Sequence, residues 1–264
     1  MRLSHIVPNC ILEDVDNYQD FVTADIRLVR HKAYKAYLEK TEKPIVLNAI
    51  HGKNPKRILK VADAIGAVDV VLPCAMMDRD ETVKRVLSVL EQNDAGYDPN
   101  RFKFIIVPQG KDLDDFHKCV DDLSIVIMTN AVKGVGIECR SIVKTVDPHD
   151  SSGAYDIRPS VVQRLKSSKI MNGKEIHIIE VDNRGGREIA EYRYVTQVTS
   201  VMTAAAYMTG SNGFQLGIPT KGRAAMSSMD FMIDSSWEFD PKAEVSEDDK
   251  ALIVSNINVI NGLR

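Results

Sequence analysis

Short aliphatic and β-branched runs, each followed by a stretch with apolar residues three and four apart, set the tightest limit on what this chain folds into. Six runs stand out: 44–48 (PIVLN), 68–73 (VDVVLP), 102–109 (FKFIIVPQ), 133–138 (KGVGIE), 175–180 (EIHIIE) and 197–202 (QVTSVM). Their length and composition predict buried strands. Residues 56–65, 80–92, 111–123, 159–166 and 186–194 carry helical spacing instead. Helix starts are signalled by Asn54-Pro55, by DRDET from Asp78 and by DLDDF from Asp112. Alternation of this kind makes either an open doubly wound sheet or a closed eight-stranded barrel. The open nucleotide fold wants a glycine-rich phosphate turn after its first strand, and neither GxGxxG nor GxxxxGK[ST] occurs. The expectation is therefore one (β/α)8 TIM-type barrel domain over residues 1–264.

In such a barrel the carboxyl ends of the strands surround one mouth. Here those ends are Asn48, Cys74, Gln109, Glu138 and Glu180, nearly all polar. Two carboxylates at one mouth are the candidate catalytic pair, Glu138 and Glu180, for acid–base or nucleophilic chemistry. Each also has a plainer reading, as a helix cap or the partner of Arg140, Arg184 or Arg187. His51, in the loop after Asn48, is a candidate for the mouth, whereas His177 within an apolar run reads as a core residue. Cys74 reads as a packed thiol unless a base adjoins it. The basic runs 51–57 and 220–223 are either phosphate contacts or solvated loops, and residues 144–155 either a lid or a surface loop.

Composition removes several classes of function. The formal net charge is −3, so no overall basic field draws nucleic acid. The four cysteines are scattered without CxxC or Cys/His spacing, which fits reduced thiols in a cytoplasm and gives no metal site. The amino-terminal residues carry acids and no long apolar run, so neither a signal peptide nor a membrane span is expected.

Two segments carry a family resemblance. Leu72-Pro73-Cys74, then Thr82, then Val107-Pro108-Gln109-Gly110 before an acidic helix is similar in order and spacing to the tRNA-guanine transglycosylase family, and most to its phage-type branch that puts 7-deazaguanine bases into DNA. The segment 157–180, with His177, is similar to that family's Arg/Leu helix and the strand after it. The resemblance implies a barrel fold, a host cytoplasm as its setting, and a pocket for a purine-like small molecule or nucleic acid built from Asn48, His51, Cys74, Gln109, Gly110 and Met202. It implies aspartates at the positions of Asn48, Cys74 and Met202, which this chain lacks. Zinc is not expected either, because the tail after Met202 has no cysteine, and no cofactor motif is present. Two functions follow: a glycosyl transferase or N-glycosidic hydrolase with remodelled base-exchange chemistry, or a catalytically inactive binding or regulatory protein. The latter acts on a protein or nucleic-acid partner, or as a homo-oligomer.

Overall fold

A computed structural model describes residues 1–96, 101–138, 157–181, 189–190, 192–211, 215–216, 240 and 242–263; the side chains of Ile157, Glu180 and Val181 lie outside that description. Eight parallel strands form one sheet: β1 Arg2–His5, β2 Val22–Asp25, β3 Ile45–Asn48, β4 Asp69–Val71, β5 Lys103–Ile106, β6 Val132–Glu138, β7 Glu175–Val181 and β8 Val198–Thr203. Each pairs with its neighbour in sequence from β2 to β8, and β1 pairs with β8, Leu3 opposite Val201. This is the expected (β/α)8 barrel.

The helices are α1 Leu12–Val15, α2 Lys32–Lys40, α3 Pro55–Ala64, α4 Arg79–Gly96, α5 Leu113–Asp122, α6 Ser124–Ile127, α7 Ile157–Lys166, α8 Ala205–Gly210 and α9 Glu247–Asn261. Local chemistry starts them where the sequence signals. The Asn54 side chain accepts from the Arg57 N–H with Pro55 at the first turn, and Asp112 accepts from the Asp115 N–H. Strand residues pointing outward, such as Leu47, Val70, Phe104, Val135 and Ile178, pack with helix residues such as Leu59, Val86 and Phe116 in one continuous core. None of the helices among the described residues is long and apolar enough to cross a membrane.

The ring is closed differently at one place. β1 and β2 share no strand ladder. Ser4 spans the gap instead: its Oγ accepts from the Thr23 N–H at 3.1 Å and from the Thr23 hydroxyl at 2.8 Å. Asp20 bonds Leu3 twice, N–H to Leu3 carbonyl at 2.8 Å and carboxylate to Leu3 N–H at 2.8 Å.

Inside the barrel the side chains lie in layers. A dry middle layer contains Val46, Val71, Ile105, Val107, Ile179 and Met202, all essentially without solvent contact. Toward the amino ends of the strands lies a charged layer. Lys133 Nζ is 2.6 Å from Asp69 Oδ2 and 3.9 Å from Glu175 Oε2, and Arg2 Nη2 is 3.9 Å from the same Glu175 oxygen. Thr199 donates its hydroxyl to that oxygen at 2.6 Å. Next along β7, the His177 Nδ1 lies 2.6 Å from Ser200 Oγ.

Candidate functional site

At the opposite end, four of the strand-end residues singled out in the sequence are buried together: Asn48, Cys74, Gln109 and Glu138. Gln109 links three of them. Its Nε2 donates to Glu138 Oε2 at 3.2 Å and to Cys74 Sγ at 3.4 Å. Its Oε1 accepts from the Met77 N–H at 3.4 Å. An amide suits this place because it donates and accepts at once, so it bridges a carboxylate on β6 and a backbone N–H after β4.

The loop that Gln109 holds, Ala75 to Asp78, is fixed from several sides. The Thr82 hydroxyl accepts from the Ala75 N–H at 2.9 Å and donates to the Ala75 carbonyl, while Arg85 Nη1 donates to the Cys74 carbonyl at 2.8 Å. Met77 has φ 60°, the left-handed region that a side-chain-bearing residue occupies only at a cost of about 1–2 kcal/mol. The surrounding bonds hold it there.

Asn48 turns its carboxamide oxygen back to the Ile50 N–H at 3.2 Å, and Asp25, at the same height on β2, takes Arg27 in a two-pronged ion pair with Nη2 at 2.6 Å. Gly110 is glycine because a Cβ would lie 2.2 Å from the Phe116 N of α5; the close approach it permits is made by the protein's own helix. Met202 lies in the dry layer below the mouth, and His51 is exposed on the loop after β3. The Glu180 backbone belongs to β7, but its side chain lies outside the described residues, as do residues 144–155 and 220–223. The candidate pair of carboxylates is thus described in one member, Glu138. Among the described residues no group of three or more His, Cys, Asp and Glu side chains is placed to hold a metal ion.

His177 is a core residue, 1% exposed. Burial, with Lys133 and Arg2 nearby, pushes its imidazole down to about 3, which keeps it neutral. Glu175 Oε2, 3.6 Å from Nε2, favours the charged form, but that carboxylate is already shared with Lys133 and Arg2, and desolvation prevails.

Sequence reasoning passed over Asp25 and Arg27, because the strand that ends at Asp25 and leads to Arg27, VTAD, is too short and polar to read as one. It also passed over the loop clamp of Thr82 and Arg85. The spacing of Thr82 three and seven residues either side of Arg85 and Ala75 was the available signal, one that gains meaning only when the loop is known to turn back on its helix.

No family model matches the chain, and no curated relative does. Among solved structures it is similar to a protein of the HpcH/HpaI aldolase/citrate lyase family from Burkholderia cenocepacia J2315, with 12% identity, a TM-score of 0.50, and coverage of 77% of this chain and 88% of that one. Citrate synthase SbnG follows with 14% identity, a TM-score of 0.46, and coverage of 76% and 83%. The first of these likenesses bears on the fold, and it corrects the family resemblance read from the sequence. The barrel neighbour is of the aldolase/citrate lyase family and not a tRNA-guanine transglycosylase, and the functions implied by that resemblance, base exchange or a silent relative of it, fall with it. The physical reason is visible in the motifs themselves. Leu72 is core, Thr82 pins a loop, Gln109 ties β6 to that loop, and Gly110 makes room for α5. Barrel packing alone accounts for each of these residues.

Proposed function

We propose that the chain is an enzyme for small-molecule chemistry, with its active site at the carboxyl end of the barrel and Glu138 as its acid–base group. The observation that carries this is a carboxylate, 3% exposed, at the end of β6, oriented by the Gln109 amide. A carboxylate placed at the mouth of a barrel is a group that can take up and return a proton during a reaction. Its place supports the reading as well, since barrel enzymes gather their chemistry on that face. Gln109 holds Glu138 at Oε2, and Asn48 and Asp25 supply further polar groups on the β2–β3 side.

The reaction class best suited to one oriented carboxylate is proton transfer next to a carbonyl, the step that opens or closes a carbon–carbon bond in aldol chemistry. The aldolase/citrate lyase description of the structural neighbour is in keeping with that class. The substrate would be a small oxo acid or its aldol adduct. The test is proton NMR in heavy water with a panel of small 2-oxo acids and 4-hydroxy-2-oxo acids, with and without added divalent cation. Loss of signal from the carbon beside the carbonyl, or release of an oxo acid, is expected from the native protein and not from Glu138→Gln. Exchange that persists in the variant, or its absence across the panel in the native protein, would overturn the reading.

A further inference from the structure

Beside the mouth, on the β2–β3 side, the loop before α3 borders a cavity that the proposed chemistry does not use. It has a volume of about 220 Å³, and Arg27, His51, Lys53 and Arg57 line it above Ile26 and Ile58. The two isoleucines are buried and form a dry floor. The walls are basic. Arg27 is neutralised by Asp25, with Nη2 to Oδ2 at 2.6 Å, whereas Lys53 and Arg57 have no acidic partner among the described residues. Gly52 shapes the space. A Cβ there would come within 2.8 Å of Ile58 Cδ1 and 2.9 Å of the Ala49 carbonyl oxygen, so the backbone lies flat on α3 and leaves the hollow to the cations.

Two cations with no acidic partner among the described residues, set around a concave space, favour an anion, and a doubly charged one satisfies both. The volume is below the roughly 300 Å³ at which whole ligands begin to be enclosed, so it suits a single group. We propose that this cavity binds a phosphate dianion, either free or as the end of a small phosphomonoester. The site stands on cavity and charge, and does not depend on the reaction assigned to Glu138. Because the loop follows β3, an ester anchored here would present its remaining atoms at the same barrel face.

The experiment is calorimetric titration of the full chain with inorganic phosphate, glycerol 3-phosphate and glycerol, at an ionic strength held constant with sodium chloride. Both phosphates are expected to bind saturably and glycerol not at all. The double variant Lys53→Ala/Arg57→Ala weakens binding by roughly tenfold or more, and the charge-preserving Lys53→Arg/Arg57→Lys retains it. Tighter binding of the ester marks a phosphomonoester as the ligand, and equal affinity marks free phosphate; either supports the site. A variant-free readout is the His51 imidazole resonance of the native chain, which shifts as phosphate is added. No saturation by phosphate, equal binding by the double-alanine variant, or an unmoved His51 signal would overturn the proposal.

Discussion

The two ends of this barrel are both polar, and they are polar in different ways. At the amino end Lys133 lies between two carboxylates, Asp69 and Glu175, and Arg2 and Thr199 also approach Glu175. At the carboxyl end the described bonds of the Glu138 carboxylate and the Cys74 thiol run to a neutral amide. Ion pairing of the first kind closes a structure: each charge is neutralised where it sits, and nothing remains to act on a substrate. Orientation by an amide fixes where the carboxylate sits at the mouth. The dry layer of Val46, Val71, Ile105, Val107, Ile179 and Met202 separates the two, so each end can be perturbed without the other.

That contrast is broken most severely at Lys133. Replacing it with Met strands Asp69, 3% exposed, without its cation, and removal of one member of a buried pair costs about 3–5 kcal/mol. Urea unfolding should show that loss, while whatever catalytic step the surviving folded fraction performs keeps its rate constant. If Lys133→Met leaves stability within about 1 kcal/mol, the amino end is not the structural member of the pair. The opposite outcome is expected for Glu138→Gln, which keeps an acceptor for Gln109. Unfolding free energy should change by less than about 1 kcal/mol, and turnover should fall by about 10²–10⁴, the range of an acid–base group. A large stability loss with unchanged turnover would reverse the two roles.

A third test uses pH. With the His177 imidazole pushed to about 3 in the folded chain against 6.5 when unfolded, the unfolded state takes up a proton that the folded state refuses. The contribution is therefore whole above pH 6.5 and is lost as pH falls from 6.5 toward 3. Between pH 6.5 and 5 it amounts to about 2 kcal/mol. Thermal unfolding of His177→Gln should show an acid loss smaller by that amount; parallel curves for variant and native chain would show that Glu175 holds the imidazole charged. The smallest effect is expected at the β1–β2 gap. Ser4→Ala leaves the Thr23 N–H without its acceptor and should cost about 1 kcal/mol, read as a lowered denaturation midpoint with an unchanged slope.

The fold was legible wherever a strand is apolar enough to announce itself. The run 44–48 becomes Ile45–Asn48, 133–138 becomes Val132–Glu138 and 197–202 becomes Val198–Thr203. β1 and β2, RLSH and VTAD, are four residues each, with three and two polar residues, and they are strands because the barrel supplies their partners. The carboxyl-end cluster was legible because strand ends converge by topology, so Asn48, Cys74, Gln109 and Glu138 could be named from position alone. The amino-end ion pairs could not: Asp69, Lys133 and Glu175 stand at strand starts, where a charge in the sequence looks like a strand meeting water. Nor could the family be read from motifs, since Leu-Pro before a polar strand end and Gln-Gly before a helix are demands of barrel packing as much as signatures of ancestry.

The gap between β1 and β2 has a consequence in time. β1 is synthesised well before its backbone partner, β8, which lies some two hundred residues later in the chain. Toward β2 it has no ladder and is held instead by the bonds of Ser4 to Thr23 and of Leu3 to Asp20. Helix α9 then reaches back to the same corner, where Asn261 donates to the Tyr18 carbonyl at 2.8 Å and Lys250 pairs with Asp14 at 2.8 Å. Contacts so distant along the chain are slow to form, so during synthesis the ring waits open at this seam until β8 has been made. In the finished molecule the same seam, with no ladder across it, is where the strand amides of the barrel should exchange first.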